Sequence, residues 1–162
     1  MSDPVWSVNQ AIGGRLALGA SFELDGGEGV AGEVTVSGYG AHMETSGFEL
    51  TIDPQVFVSG NYGATSDFTR TTLGAGGEVS VLRDVGPYSP VFRASVGVGA
   101  SLRSGDGTFH TNPAFRAAVT VDVPIVPTSF LSTGLWLSPQ VAFVDDAVEL
   151  TLGFHGTLPT GS

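Results

Sequence analysis

Apolar and polar residues alternate with a period of two along almost the whole chain, and the charged residues within the alternating segments share one face. A β-strand places successive side chains on opposite sides, so this pattern predicts strands, each with one apolar and one polar face. Eight such segments are expected, at about 12–24, 30–42, 48–60, 69–82, 91–103, 114–123, 130–144 and 147–158. In the third, Phe48, Leu50, Ile52, Val56 and Val58 oppose Glu49, Thr51, Asp53, Gln55 and Ser59, while Phe57 breaks the phase. The apolar face carries no Asp, Glu or Arg in any segment. His42, near a strand end, is its one ionisable residue.

The separators are turn chemistry, such as Asp25-Gly26-Gly27-Glu28-Gly29, Ser104-Gly105-Asp106-Gly107 and Asp145-Asp146. Each is short enough for an antiparallel hairpin and too short for a crossover helix. The expected fold is therefore all-β and a single domain over residues 1–162: an eight-stranded antiparallel up-and-down barrel with short turns, closed because closure removes the edge strands.

Alternation alone does not orient such a barrel. A soluble lipocalin-like barrel binding a hydrophobic ligand turns its apolar face inward, and a transmembrane barrel turns it outward. Three observations favour the membrane. Glycine, with 24 residues, crowds the polar face; it gains nothing on an exposed strand but leaves room for long side chains in a narrow lumen. The apolar face is too bulky to fit inside eight strands. The chain has no lysine, which a water-facing surface normally carries. The segments also have the length a tilted strand needs to cross a bilayer. Phe22, Phe48, Tyr62, Phe92, Phe115, Phe130, Phe143 and Phe154 lie near strand ends, as interfacial girdles require.

This pattern resembles the small bacterial outer-membrane barrels, the OmpA transmembrane domain and OmpX class. The resemblance covers nearly the whole chain and rests on pattern. The last segment, Thr151 to Leu158, partly matches the closing strand of that class, ending on Leu158 where the class usually ends on an aromatic residue. The resemblance implies an outer-membrane location and a lipid bilayer, or detergent, as the surrounding phase. The N-terminus lacks the basic and apolar regions of a signal peptide, so an exported protein would be represented here by a mature form.

With the polar face inward, the lumen is expected to hold Arg15, Arg70, Arg93, Arg103 and Arg116 with Glu23, Glu33, Glu49, Asp53, Glu78, Asp122 and Glu149, and His155 beside them. Such near balance suits a paired, packed interior, since an unpaired buried ion costs several kcal/mol. The expected role is a structural scaffold or anchor, monomeric, with at most a narrow ion pore. The formal charge of −10 argues against nucleic acid, and the absence of cysteine excludes disulfides and thiolate metal sites. No cofactor or metal is expected. Asp25 to Glu28 and Asp145-Asp146 lack the spacing of a calcium loop and read as solvated turns. His42, His110 and His155 sit in no suggestive Ser and acid array, no G-x-S-x-G is present, and the glycine pairs lack the helix and lysine of a phosphate loop. The chain is therefore not expected to be an enzyme.

Overall fold

The structure, a computed structural model, describes residues 4–63, 69–83, 86, 88–105, 108–125 and 134–160. It contains ten strand segments: β1 (Val5–Val8), β2 (Ala11–Glu23), β3 (Glu28–Gly38), β4 (Ala41–Thr45), β5 (Phe48–Gly63), β6 (Thr69–Arg83), β7 (Val91–Gly105), β8 (Thr108–Pro124), β9 (Gly134–Val144) and β10 (Ala147–Pro159). β1 runs on into β2, and β3 into β4, across two-residue breaks, so the ten segments make eight staves. All pairings are antiparallel, and the ring closes through β5 with β6 on one side and β10 with β2 on the other.

The register fixes the shape. From Ile52 the paired residues run Val79, Ala94, Val119, Val141, Leu150, Ala20 and Val30, and return to β5 at Tyr62, ten residues further along. An eight-stranded ring with that stagger tilts its strands by about 40° and encloses a lumen just wide enough to fill with side chains. The circuit is wholly apolar apart from the Tyr62 hydroxyl. The adjacent circuit, from Thr51 through Ser80, Arg93, Thr120, Gln140, Thr151, Gly19 and Ala31 to Asn61, is largely polar.

The apolar circuit faces out: Val119, Val141 and Leu150 are 59, 44 and 47 % exposed, whereas Arg116, Glu33 and Asp122 are 1, 2 and 0 % exposed. The barrel is thus inverted relative to a soluble one, which removes the lipocalin-like alternative. A continuous apolar exterior around a charged interior is the arrangement of a transmembrane β-barrel. Exposed Phe22, Tyr62, Phe115 and Phe143 cluster towards the end carrying the 24–27 and 145–146 turns, called here the turn end. Exposed Trp6, Tyr39 and Phe92 mark the terminal end, where Val5 and Pro159 lie. Phe130 lies outside the described residues.

Three features differ from the sequence reading. Val5–Val8, outside every expected segment, is a strand paired with β4. The segment expected at 114–123 starts six residues earlier, at Thr108, where it pairs with the end of β7. The described part of the seventh stave begins at Gly134; residues 130–133 lie outside the described residues. The segment expected at 30–42 is broken after Gly38, and the break reverses the phase of the residues beyond it.

That reversal corrects the placement of His42. Its side chain is buried on the lumen side, 4 % exposed, and stands 3.6 Å from Glu49, rather than on the apolar face. The cause is local. Gly38 has φ of 145° and Tyr39 of 60°, a conformation in which the chain gains a residue against its partners. A Cβ at Gly38 would lie 2.3 Å from the Ala11 carbonyl oxygen, so only glycine fits there. The carboxylate of Asp53 holds both strand breaks. It accepts from the Gly40 N–H and, through both oxygens, from Asn9 Nδ2, while Asn9 N–H donates to the Gly40 carbonyl.

Candidate functional site in the barrel lumen

Inward-facing residues of all eight staves meet in a hydrogen-bonded layer centred on Glu33 of β3. Arg116 from β8 grips it with a two-pronged fork, Nε to Oε2 at 2.9 Å and Nη2 to Oε1 at 2.7 Å. Arg15 from β2 donates Nη1 to Oε1 at 3.0 Å, and Gln140 from β9 adds its amide at 3.0 Å. Fork geometry of this kind is the strongest form of carboxylate pairing, and guanidinium suits it because its donors are rigid and planar. The arginines are satisfied outward as well. Arg15 reaches the Ser138 carbonyl of β9 and Thr151 of β10, and Arg116 reaches Ser95 of β7 and Gln55 of β5. Gln55 in turn donates to Glu78 of β6.

The β8–β9 ladder is interrupted beside Ser138. No pairing joins Val121 and Asp122 to Pro139 and Ser138, and Pro139 has no N–H to offer.

Towards the terminal end lies a second cluster. Arg93 bridges Glu78 and Asp122, and Asp122 also accepts from Ser138 Oγ at 2.6 Å and from His155 Nδ1 at 2.7 Å. A carboxylate only accepts, so the Nδ1 of His155 carries the proton in this bond. Trp136 packs against the imidazole with ring centroids 5.5 Å apart. Small cavities of about 20 and 10 Å³ adjoin His155, and each has room for about one water.

Towards the turn end, Arg70 pairs with Asp146, and its Nη2 stands 3.8 Å from Glu149. Arg103, partly exposed at the rim, lies 3.8 Å from Glu23 and 3.6 Å from Asp146.

Phe57, out of phase in the sequence, has its ring in the lumen at 2 % exposure, with the Arg116 guanidinium over it at 5.1 Å. Its place is made by glycine. A Cβ on Gly74 or Gly97 would come within 2.5 or 2.6 Å of the ring. An aromatic face opposite a buried guanidinium is a favourable cation–π contact. Phe57 is thus a lumen residue absent from the expected set. The signals available in the sequence are its phase error and the glycines at 74, 76, 97 and 99, which pair across β6 and β7.

The sequence-derived set divides by depth. Arg15, Glu33, Asp53, Arg70, Glu78, Arg93, Arg116, Asp122, Glu149 and His155 are buried in the lumen. Glu49 and Arg103 are half-buried near opposite rims, and His110 is exposed at the edge of β8. Asp146, read as part of a solvated turn, has its carboxylate turned to Arg70. Asp145 accepts the Phe115 N–H where β9 ends.

No family profile and no curated protein matches the chain. Solved structures do. Neisserial surface protein A aligns over 94 % of this chain and 99 % of its own, with a TM-score of 0.55 and 14 % identity. The outer membrane enzyme PagL aligns over 91 and 99 %, with a TM-score of 0.60 and 15 % identity. Ail, the attachment invasion locus protein of Yersinia pestis, aligns over 97 and 99 %, at 0.53 and 12 %. At such identities the likeness speaks for fold alone. The chain has the fold of the small eight-stranded outer-membrane β-barrels.

Proposed function

We propose that the protein is an integral outer-membrane barrel that serves as a structural scaffold or anchor, its lumen braced by the Arg/Glu network and closed to all but the smallest species. The observation that carries this reading is the Glu33 layer. It links residues from every stave, with two guanidiniums and an amide on one carboxylate. An eight-stranded barrel is narrow enough for such a layer to span it. The lumen cavity that Arg15, Gln140 and His155 line is of water size.

A non-catalytic role is part of this reading: His155 has its Nδ1 committed to Asp122, and His110 is exposed near a strand end. His42 departs from the sequence expectation, because it stands between Ser7 Oγ, 3.2 Å from its Nδ1, and Glu49, 3.6 Å from its Nε2, a serine and acid array that the strand break brings together. Outer-membrane location is supported by the likeness to barrels of that membrane and by the apolar exterior.

Recording in planar bilayers tests the proposal. The reading expects no steady conductance beyond brief, small events, and a large stable conductance would contradict it. Incubation with phospholipid and lipopolysaccharide should release no fatty acid; steady release would overturn the non-catalytic part.

A further inference from the structure

Seven buried side-chain polar atoms have no hydrogen-bond partner among the described residues, and five of them belong to Asn61, Arg70, Thr72 and Glu149. All four residues lie on the lumen face at the turn end, so the deficit is concentrated rather than scattered. Glu149 is the extreme case. Its side chain is 1 % exposed, neither carboxylate oxygen accepts a hydrogen bond, and Arg70 Nη2 stands 3.8 Å away, beyond hydrogen-bond reach. A buried carboxylate in that condition is costly, and native proteins satisfy such groups with water or an ion.

The surroundings favour a cation. Glu149 pairs in register with Ser21, and Ser21 Oγ receives the Asn61 amide, which leaves Asn61 Oδ1 as a further unpartnered acceptor beside it. Gly29 makes room for that oxygen: a Cβ there would lie 2.8 Å from it. Among the described residues, the ion pairs at this end set the carboxylates of Glu23, Asp146 and Glu149 against the guanidiniums of Arg70 and Arg103. Among the described residues no three His, Cys, Asp or Glu side chains are grouped as a metal site would need. One carboxylate with a neutral amide oxygen is a hard-oxygen donor set, and its single negative charge matches a singly charged cation that keeps part of its water shell.

We propose that Glu149 and Asn61 Oδ1 form a binding site for one monovalent metal cation at the turn-end mouth of the lumen, above the Glu33 layer. The site does not depend on whether that layer conducts.

The test is urea unfolding of the protein in detergent, in sodium or potassium chloride against N-methylglucamine chloride at equal ionic strength. The organic ammonium ion screens surface charge as well but has no metal centre for the two oxygens to coordinate. The expected result is about a tenfold higher folded-to-unfolded ratio in the metal chloride at a concentration ten times the dissociation constant. That difference should vanish in Glu149→Gln and shrink in Asn61→Ala, which keeps the fold readable if the first variant does not assemble. Asp25→Asn, an exposed rim change, should retain it. Equal stability in all three salts, meaning that water alone fills the site, would overturn the proposal. So would a metal response that persists in Glu149→Gln or that is undiminished in Asn61→Ala.

Discussion

Replacing Glu33 with Gln keeps the shape of the side chain and removes the charge on which the central layer is organised. In the native lumen that carboxylate accepts four hydrogen bonds, three from Arg15 and Arg116 and one from Gln140. The amide of Gln offers one acceptor oxygen, and its NH₂ faces guanidinium donors. Two buried arginines would keep their charge with no carboxylate between them. Breaking a buried pair by removing one partner costs about 3–5 kcal/mol, because the survivor stays desolvated. The folding equilibrium should therefore fall by between two and four powers of ten. Urea unfolding in detergent, followed by the fluorescence of Trp6 and Trp136 and by the mobility difference between folded and boiled samples, reads this directly. Arg83→Gln, on an exposed side chain, should change stability by no more than about 0.5 kcal/mol. A loss below about 1 kcal/mol for Glu33→Gln would mean that water, not Glu33, compensates the arginines, and the brace would be refuted.

Other perturbations probe the remaining geometry. Gly97→Ala should destabilise by about 1–3 kcal/mol, because its Cβ would press on the Phe57 ring, and most of the loss should disappear with Leu at 57. Equal losses in both backgrounds, compared by urea midpoint, would show that the ring is not the obstacle. Val119→Arg, on the apolar circuit, should lower stability in bilayers by about 2–4 kcal/mol, measured by refolding into vesicles. An unchanged midpoint would mean that this face does not meet lipid. Gly38→Val should disturb the β3–β4 break and expose His42 to solvent. Amide exchange at Ala41 to Thr45 should rise, and unchanged protection there would contradict the strain assigned to Gly38.

The staves and their two faces are legible because the side-chain period of a strand is fixed, and a lipid-covered wall tolerates no charge. The identity of the inward charges comes from the same parity: Arg15, Glu33, Arg93 and Arg116 lie where alternation puts them. Parity fails where the backbone gains a residue. Tyr39 adopts a positive φ that alternation cannot reveal, and alternation therefore puts His42 on the wrong face. Partners are not legible either. Nothing local indicates that Arg116 chooses Glu33, 83 positions away, over the nearer Asp122. That choice depends on the stagger of ten residues around the ring, which is set by all eight registers together. Phe57 stands out in the sequence only as an exception. Its meaning needs the glycines of two other strands, which come close only when the sheet closes.

The inward direction of the charged face is the claim on which everything else depends, and the chain's lack of cysteine makes it open to direct test. Single cysteines placed in turn from Leu135 to Phe143, each carrying an environment-sensitive fluorophore, can be quenched by brominated lipid in vesicles. The account predicts strong quenching at 135, 137, 141 and 143 and weak quenching at 136, 138 and 140, in step with the exposure along β9. The reverse alternation, or no quenching at any position because the protein remains in buffer as a folded monomer, would contradict it.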